Sequence, residues 1–224
     1  MLLSNDNLDF LDSLAANNNR EWFEEHKSSF EKYQNEFKAF HSELKKLMVQ
    51  HDQLDKSKVF RIYRDVRFSK DKTPYKTHWS GTFGRATHYL RGGYYYQIEP
   101  GKSFAAGGFF GPNSQDLLHI RKQISQFADP LKAVIESSDF KKYFDSLQGE
   151  QVKTAPKGFS KEDSEIDLLR HKQFLVYRHF SDEQVLDASF MDDLNDTFRA
   201  MRPFFNVMSD YLTTDLNGEE LKFE

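Results

Sequence analysis

Gly93-Tyr94-Tyr95-Tyr96-Gln97-Ile98-Glu99-Pro100-Gly101-Lys102-Ser103-Phe104-Ala105-Ala106-Gly107-Gly108-Phe109-Phe110 reads as two strands joined by a Pro-Gly turn. Side chains alternate across a strand, so Tyr94 and Tyr96 share one face, and Tyr95, Gln97 and Glu99 share the other. Gly92-Gly93 is a second turn signal just upstream. Working back, residues 59–68 and about 79–84 have the same enrichment in Phe, Tyr, Val and Ile between turn residues. Turns this short favour successive antiparallel hairpins over parallel crossovers.

Outside this block the period changes. Leu8, Leu11, Leu14 and Ala15 form a helical stripe that Asn17-Asn18-Asn19 interrupts. Trp22, Phe23, His26, Phe30, Tyr33, Phe37, Phe40, Leu44 and Leu47 then recur at threes and fours, which predicts one long helix laid on a core. Helices resume after Pro112, with Leu117, Ile120, Ile124 and Phe127 on one stripe and Asp129-Pro130 opening another. Phe174–Phe180 predicts a last strand. Ser181 to Gln184 looks like a capped helix start, and Pro203 is expected to kink or break the terminal helix. The fold class is α+β: a single domain over 1–224 with an antiparallel sheet flanked by N-terminal and C-terminal helices. It is helical over 1–55, mainly strands over 58–111, and helices with one further strand over 112–224.

Composition narrows the function. With no Cys among 224 residues, disulfides, thiolate metal sites and cysteine nucleophiles are excluded. The start of the chain lacks the cationic and apolar regions of a signal peptide, and no stretch approaches the roughly 18 apolar residues of a membrane span. The expectation is a cytoplasmic protein with no membrane partner. The net charge of −4 is unevenly spread: residues 56–102 hold 11 Lys+Arg against 3 Asp+Glu, and residues 180–224 hold 3 against 11.

The basic excess centres on Phe60–His78, which carries Arg61, Arg64, Arg67, Lys70, Lys72 and Lys76 with only Asp65 and Asp71 as acids. Read as a strand from residue 59, it places Arg64 on the apolar side with Ile62 and Val66, where a charge needs a partner or a bound anion. Guanidiniums on a rigid element suit phosphate or carboxylate. The plainer reading is that these cations pair with acids to fix the fold. Gly107-Gly108, close to Gly111-Pro112, could present backbone N–H groups to a phosphate, although close backbone packing is the commoner reason for paired glycines. Neither a P-loop nor G-x-G-x-x-G is present. No histidine has metal-ligand spacing, and His78 alone adjoins the basic motif. Asp65 reads first as a counter-ion to the neighbouring arginines.

Several of these segments together resemble the uncharacterised family known as domain of unknown function 2461. They are Asn18-Asn19-Arg20-Glu21-Trp22-Phe23, the run Arg61–Thr77, Gly93-Tyr94-Tyr95 through Ile98-Glu99-Pro100-Gly101, Gly107-Gly108, the Leu118–Arg121 helix and Pro156-Lys157-Gly158-Phe159. The family pattern continues close to Asp-His-Pro after the last piece, whereas Glu162-Asp163-Ser164 stands here. The resemblance implies a shared fold and a shared site. It implies no reaction and no cofactor.

The functional expectation is therefore a basic cleft for a phosphorylated or other anionic small ligand. Arg61, Arg64, Arg67, Lys70, Lys72, Tyr75, Lys76, Glu99, Gly107 and Gly108 are the candidate contacts. The alternative is a non-catalytic binder of nucleic acid or of an acidic protein partner, for which the same basic segment would form an open stripe.

Overall fold

In a computed structural model, residues 3–221 are described. The chain starts with α1 (Asn5–Ala16), α2 (Arg20–Glu25) and α3 (Lys27–Met48). Four strands follow: β1 (Leu54–Val59), β2 (Trp79–Arg85), β3 (Gly93–Ile98) and β4 (Ser103–Phe109). Next come α4 (Ser114–Phe127), α5 (Asp129–Ile135), α6 (Ser138–Tyr143) and α7 (Ile166–Leu169), then β5 (Phe174–Phe180), α8 (Asp182–Leu186) and α9 (Phe190–Thr213). The five strands form one antiparallel sheet in the order β1-β2-β3-β4-β5, so the fold is α+β.

The β3–β4 turn shows why the sequence pairs as it does. Lys102 N donates to Glu99 O at 2.9 Å, with Pro100 at the second turn position and Gly101 at the third with φ +67°. That is the residue chemistry of a type II turn.

Contacts divide the chain into two compact units. The first comprises residues up to Phe83, Tyr95–Ala105 and His179–Asp196. Here α3 lays Phe37, Phe40, His41 and Leu44, all buried, on the sheet face that carries Trp79, Phe83 and Tyr96. Gly81 permits that approach, because a Cβ there would lie 2.6 Å from both His41 Nδ1 and Tyr96 Cε1. The other face is left half-buried, as the alternation along β3 shows.

The second unit comprises Gly84–Tyr94, Ala106–Arg178 and the chain from Thr197. Its core sets Tyr94 against Phe198 and Phe205 of α9 at ring separations of 5.2 and 4.9 Å. Arg121 on α4 closes the end of α7 by donating to Leu169 O and His171 O at 2.8 and 3.0 Å.

Four expectations are corrected. The long N-terminal helix is two, because His26 leaves helical geometry (φ −106°, ψ 16°) while its ring stacks on Trp22. Helical structure ends at Met48, and a strand occupies Leu54–Val59. The alternating run 59–68 is not a ladder strand: β1 stops where the motif begins, and only Tyr63 and Tyr75 form a bridge. Finally, of the two effects expected at Pro203 the break does not occur, since α9 continues through it. Ser181 and Gln184 do form the expected capping box at α8.

Candidate functional site

The basic motif leaves the sheet at Phe60, whose N–H donates to Ser80 O at 2.9 Å, and folds back on itself. Lys76 N donates to Ile62 O at 2.8 Å and Arg64 N to Pro74 O at 2.9 Å. Ile62 and Tyr75 turn inward, and the Tyr75 ring stacks on Phe23 at 3.9 Å. Asn18 clamps the returning limb, since its Nδ2 donates to Tyr75 O at 2.9 Å and its Oδ1 accepts from Tyr75 N at 3.1 Å. Asn19 caps α2 by accepting from Trp22 N. The tripeptide that interrupts the helical stripe is thus the anchor of the basic loop.

The loop's own acids hold its tip. Arg64 Nη1 reaches Asp71 Oδ2 at 2.6 Å and Thr73 O at 3.0 Å, and also meets the Thr73 hydroxyl. Hydrogen bonds from the Thr73 backbone and hydroxyl, then from Arg64, hold the Asp71 carboxyl below its usual range. Arg67 makes a two-pronged pair with Asp65, Nε to Oδ1 at 3.0 Å and Nη2 to Oδ2 at 2.7 Å, which lowers the Asp65 carboxyl in turn. Lys72 Nζ donates to Val66 O at 2.9 Å, and Lys70 is exposed. Phe68 is 97 % exposed and Val66 only half-buried, so of the apolar face that strand parity implied the loop buries Ile62 but not its tip.

Two other cations lie over one ring, and Arg61 acts on one of them through its charge. Lys58 Nζ and Lys76 Nζ lie 5.0 and 5.1 Å from the Phe60 centroid, within cation–π range. Burial, then Arg61 and Lys58, push the Lys76 ammonium below its ordinary value. None of Lys58, Arg61 and Lys76 has an ion-pair partner among the described residues. Asp65 feels Arg61, but its oxygens are committed to Arg67.

Phe60 leads onto the half-buried face of the sheet. Its ring is 6.1 Å from Tyr95, which is 5.7 Å from Phe104, which is 6.0 Å from His179. Beneath this row a hydrogen-bonded relay fixes Glu99. Thr77 Oγ1 donates to Glu99 Oε1 at 2.8 Å, Gln97 Nε2 to Glu99 Oε2 at 2.6 Å, and Tyr95 OH to Gln97 Oε1 at 2.9 Å. His78 Nδ1 sits 3.8 Å from Glu99 Oε2. Burial pulls that imidazole down to about 4 against the opposing pull of Glu99, with Lys76 adding to the fall, so the ring is neutral at pH 7 and the contact is not an ion pair. Burial also raises the Tyr95 phenol. A neutral imidazole, an oriented carboxylate and a phenol can position and exchange protons with a polar ligand group.

Gly107 and Gly108 have a packing role. A Cβ on Gly107 would strike Met201 Sδ and lie 2.8 Å from Phe205 Cζ. Gly108, at φ +135°, would put one into Phe174 O. Gly108 also borders a cleft of about 400 Å³ with Arg91, Gly111 and Asn113, but Arg91 is taken up by Asp116 at 2.7 Å.

Of the residues chosen from sequence, Lys76 and Glu99 thus border the ring row and its relay, Arg61 acts on Lys76 through its charge, and Arg64, Arg67 and Lys72 tie the loop tip. Tyr75 is a core residue. Sequence reasoning passed over Lys58, Phe60, Thr77 and Gln97 as contacts. The shared parity of Tyr95, Gln97 and Glu99 was the available signal for the relay. Among the described residues no group of three or more His, Asp or Glu is placed to hold a metal, and no helix is long and apolar enough to cross a membrane.

The family model described as "Conserved hypothetical protein (DUF2461)" matches residues 6–206. No curated protein and no solved structure matches the chain.

Proposed function

The chain belongs to the DUF2461 family, and we propose that it binds a small anionic ligand, a phosphate ester or a carboxylate, at the cations grouped on Phe60. One observation carries this reading: Lys58, Arg61 and Lys76 crowd together with no ion-pair partner among the described residues, and burial first, then the charges of Arg61 and Lys58, lower the Lys76 ammonium from its ordinary value. Like charges brought together cost free energy that a bound anion offsets. Tyr95 and Phe104 supply an apolar wall beside the anion. Glu99 and His78 supply an acceptor and a neutral polar ring for a ligand hydroxyl. Arg64, Arg67, Lys70 and Lys72 belong to the loop that presents Arg61 and Lys76.

Thermal denaturation with pyrophosphate, tripolyphosphate and nucleoside phosphates, at matched ionic strength, tests the reading. A ligand at a hundred times its Kd stabilises by about 2.7 kcal/mol, which reads as a rise of several degrees. Lys76→Met and Arg61→Met should abolish that rise, and Lys70→Ala should keep it. No rise with any polyanion at millimolar concentration overturns the proposal. Tight oligonucleotide binding with a steep salt slope would favour a polymer ligand instead.

A further inference from the structure

Helices α1, α2 and α3 border an open cleft of about 360 Å³ within the first unit. Phe10, Trp22, His26 and Tyr33 wall it, and Asp6 and Asp9 stand at its edge. The rings do not lie flat on one another. Phe10 meets Trp22 at 5.9 Å and 36° and Tyr33 at 5.5 Å and 43°, so the buried Phe10 ring backs the half-buried Trp22 and Tyr33. His26 stacks on Trp22 at 4.0 Å and 12°, and its Nδ1 is 2.8 Å from Trp22 O. A carbonyl can only accept, so Nδ1 carries a proton.

Asp6 and Asp9 are three residues apart on α1, so their side chains are neighbours and repel. The helix dipole explains a carboxylate at Asp6, in the first turn, more readily than one at Asp9. Neither makes an ion pair among the described residues. Lys27 faces Glu24 at 3.6 Å, and Lys32 lies over the ring of Tyr33, one of the cleft walls, at 4.9 Å. Aromatic rings and two exposed carboxylates line one space, and an ammonium group is the chemistry that suits both.

We propose that this cleft binds a small organic cation, its ammonium seated against Trp22 and Phe10 and facing Asp6 and Asp9. The site is separate from the proposed anion site and does not depend on it.

The chain has two tryptophans, and Trp79 is 1 % exposed, so a change in emission on adding a soluble cation reports Trp22. Choline, spermidine and a lysine-containing tripeptide are titrated at constant ionic strength, with 3,3-dimethyl-1-butanol as the uncharged analogue of choline. A saturable change with at least one of the cations, and none with the alcohol, is expected. Saturation by choline or spermidine identifies a free amine as the ligand, and saturation by the tripeptide alone identifies a basic side chain. Asp9→Asn should weaken binding about fivefold, and Asp6→Asn should weaken it too. Lys76→Met should leave it unchanged. Equal binding of the alcohol, unchanged affinity in both Asp variants, or no saturable change with any cation overturns the proposal. Calorimetric titration of Trp22→Leu, after circular dichroism has shown it folded, gives a readout independent of fluorescence and should show binding lost.

Discussion

Trp79 Nε1 donates a 2.6 Å hydrogen bond to Asn7 Oδ1, and both side chains are sealed from solvent. Asn7 sits beside the apolar stripe Leu8, Leu11, Leu14 and is itself fully buried, so this single polar contact fixes how α1 meets β2. Its Nδ2 also faces Tyr33 O at 3.3 Å. A buried indole N–H left without an acceptor costs its full desolvation. Asn7→Leu should therefore lower stability by about 1–3 kcal/mol despite adding apolar surface. Urea denaturation measures it, and a gain in stability would show that the bond contributes nothing.

Phe37 makes the opposite kind of contribution. It is fully buried, with ring neighbours Trp79 at 6.0 Å and Tyr96 at 5.6 Å. Phe37→Ala should cost about 3–5 kcal/mol through lost burial and the cavity left behind. A loss under 1 kcal/mol in chemical denaturation would mean that α3 is not held by this stripe.

The stripe of α3 was legible because its aromatics recur with helical period, and the β3–β4 hairpin because alternation and Pro100-Gly101 agree. The reading of 59–68 as a strand failed for a physical reason. Phe60, Ile62, Val66 and Phe68 alternate, but Phe68 lies in solvent and Arg64 is satisfied by Asp71 and Thr73 within the loop. The ladder instead takes Leu54–Val59, whose central residues are polar and exposed, as a strand at the edge of a sheet permits. Periodicity reports which residues could share a face, not which backbone finds a partner. The site was legible to the same extent: the excess of cations was visible, but their division into paired and unpaired groups depends on which reach Asp65 and Asp71.

Buried imidazoles give the fold a pH dependence. His41 lies between Tyr96 OH and Ser57 Oγ, each at 2.9 Å, and burial holds it at about 4 instead of 6.5. His78 is held at about 4 as well. Between those values the unfolded chain binds protons that the native chain does not, so stability is full above 6.5 and falls as the pH drops towards 4. The slope is up to about 1.4 kcal/mol per pH unit for each histidine. Denaturation midpoints between pH 7.5 and 4.5 should show the fall, and His41→Gln should make it shallower, leaving the part due to His78. A wild-type profile without slope above pH 4.5 would contradict the assignment.

Gly108 allows a sharp test of close packing. At φ +135° any side chain is strained, and a Cβ would enter the space of Phe174 O. Gly108→Ala combines backbone strain with overpacking and should cost about 3 kcal/mol or more. Gly101→Ala, with open space around its Cβ and φ +67°, carries the strain alone and should cost less. Equal losses in the two variants would show that close packing at Gly108 adds nothing.

Arg61 and Arg64, three residues apart in one basic motif, should respond in opposite ways to the same substitution. Arg64 is spent on the fold: its side chain is 25 % exposed, and its guanidinium bridges Asp71 and the Thr73 carbonyl across the loop. Arg64→Met leaves those acceptors to water, which they can reach, so the loss should be modest, about 1–2 kcal/mol. The loop would loosen, and anion binding would weaken in proportion to its order. Arg61 is exposed and unpaired among the described residues, and it adds to the charge that displaces Lys76. Removing it relieves repulsion, so Arg61→Met should leave stability within about 0.5 kcal/mol of wild type. It should nevertheless abolish the stabilisation that pyrophosphate confers. Paired denaturation curves with and without pyrophosphate separate the two effects. If Arg61→Met keeps the full ligand response, the grouped cations are a solvated face of the loop and not a binding site.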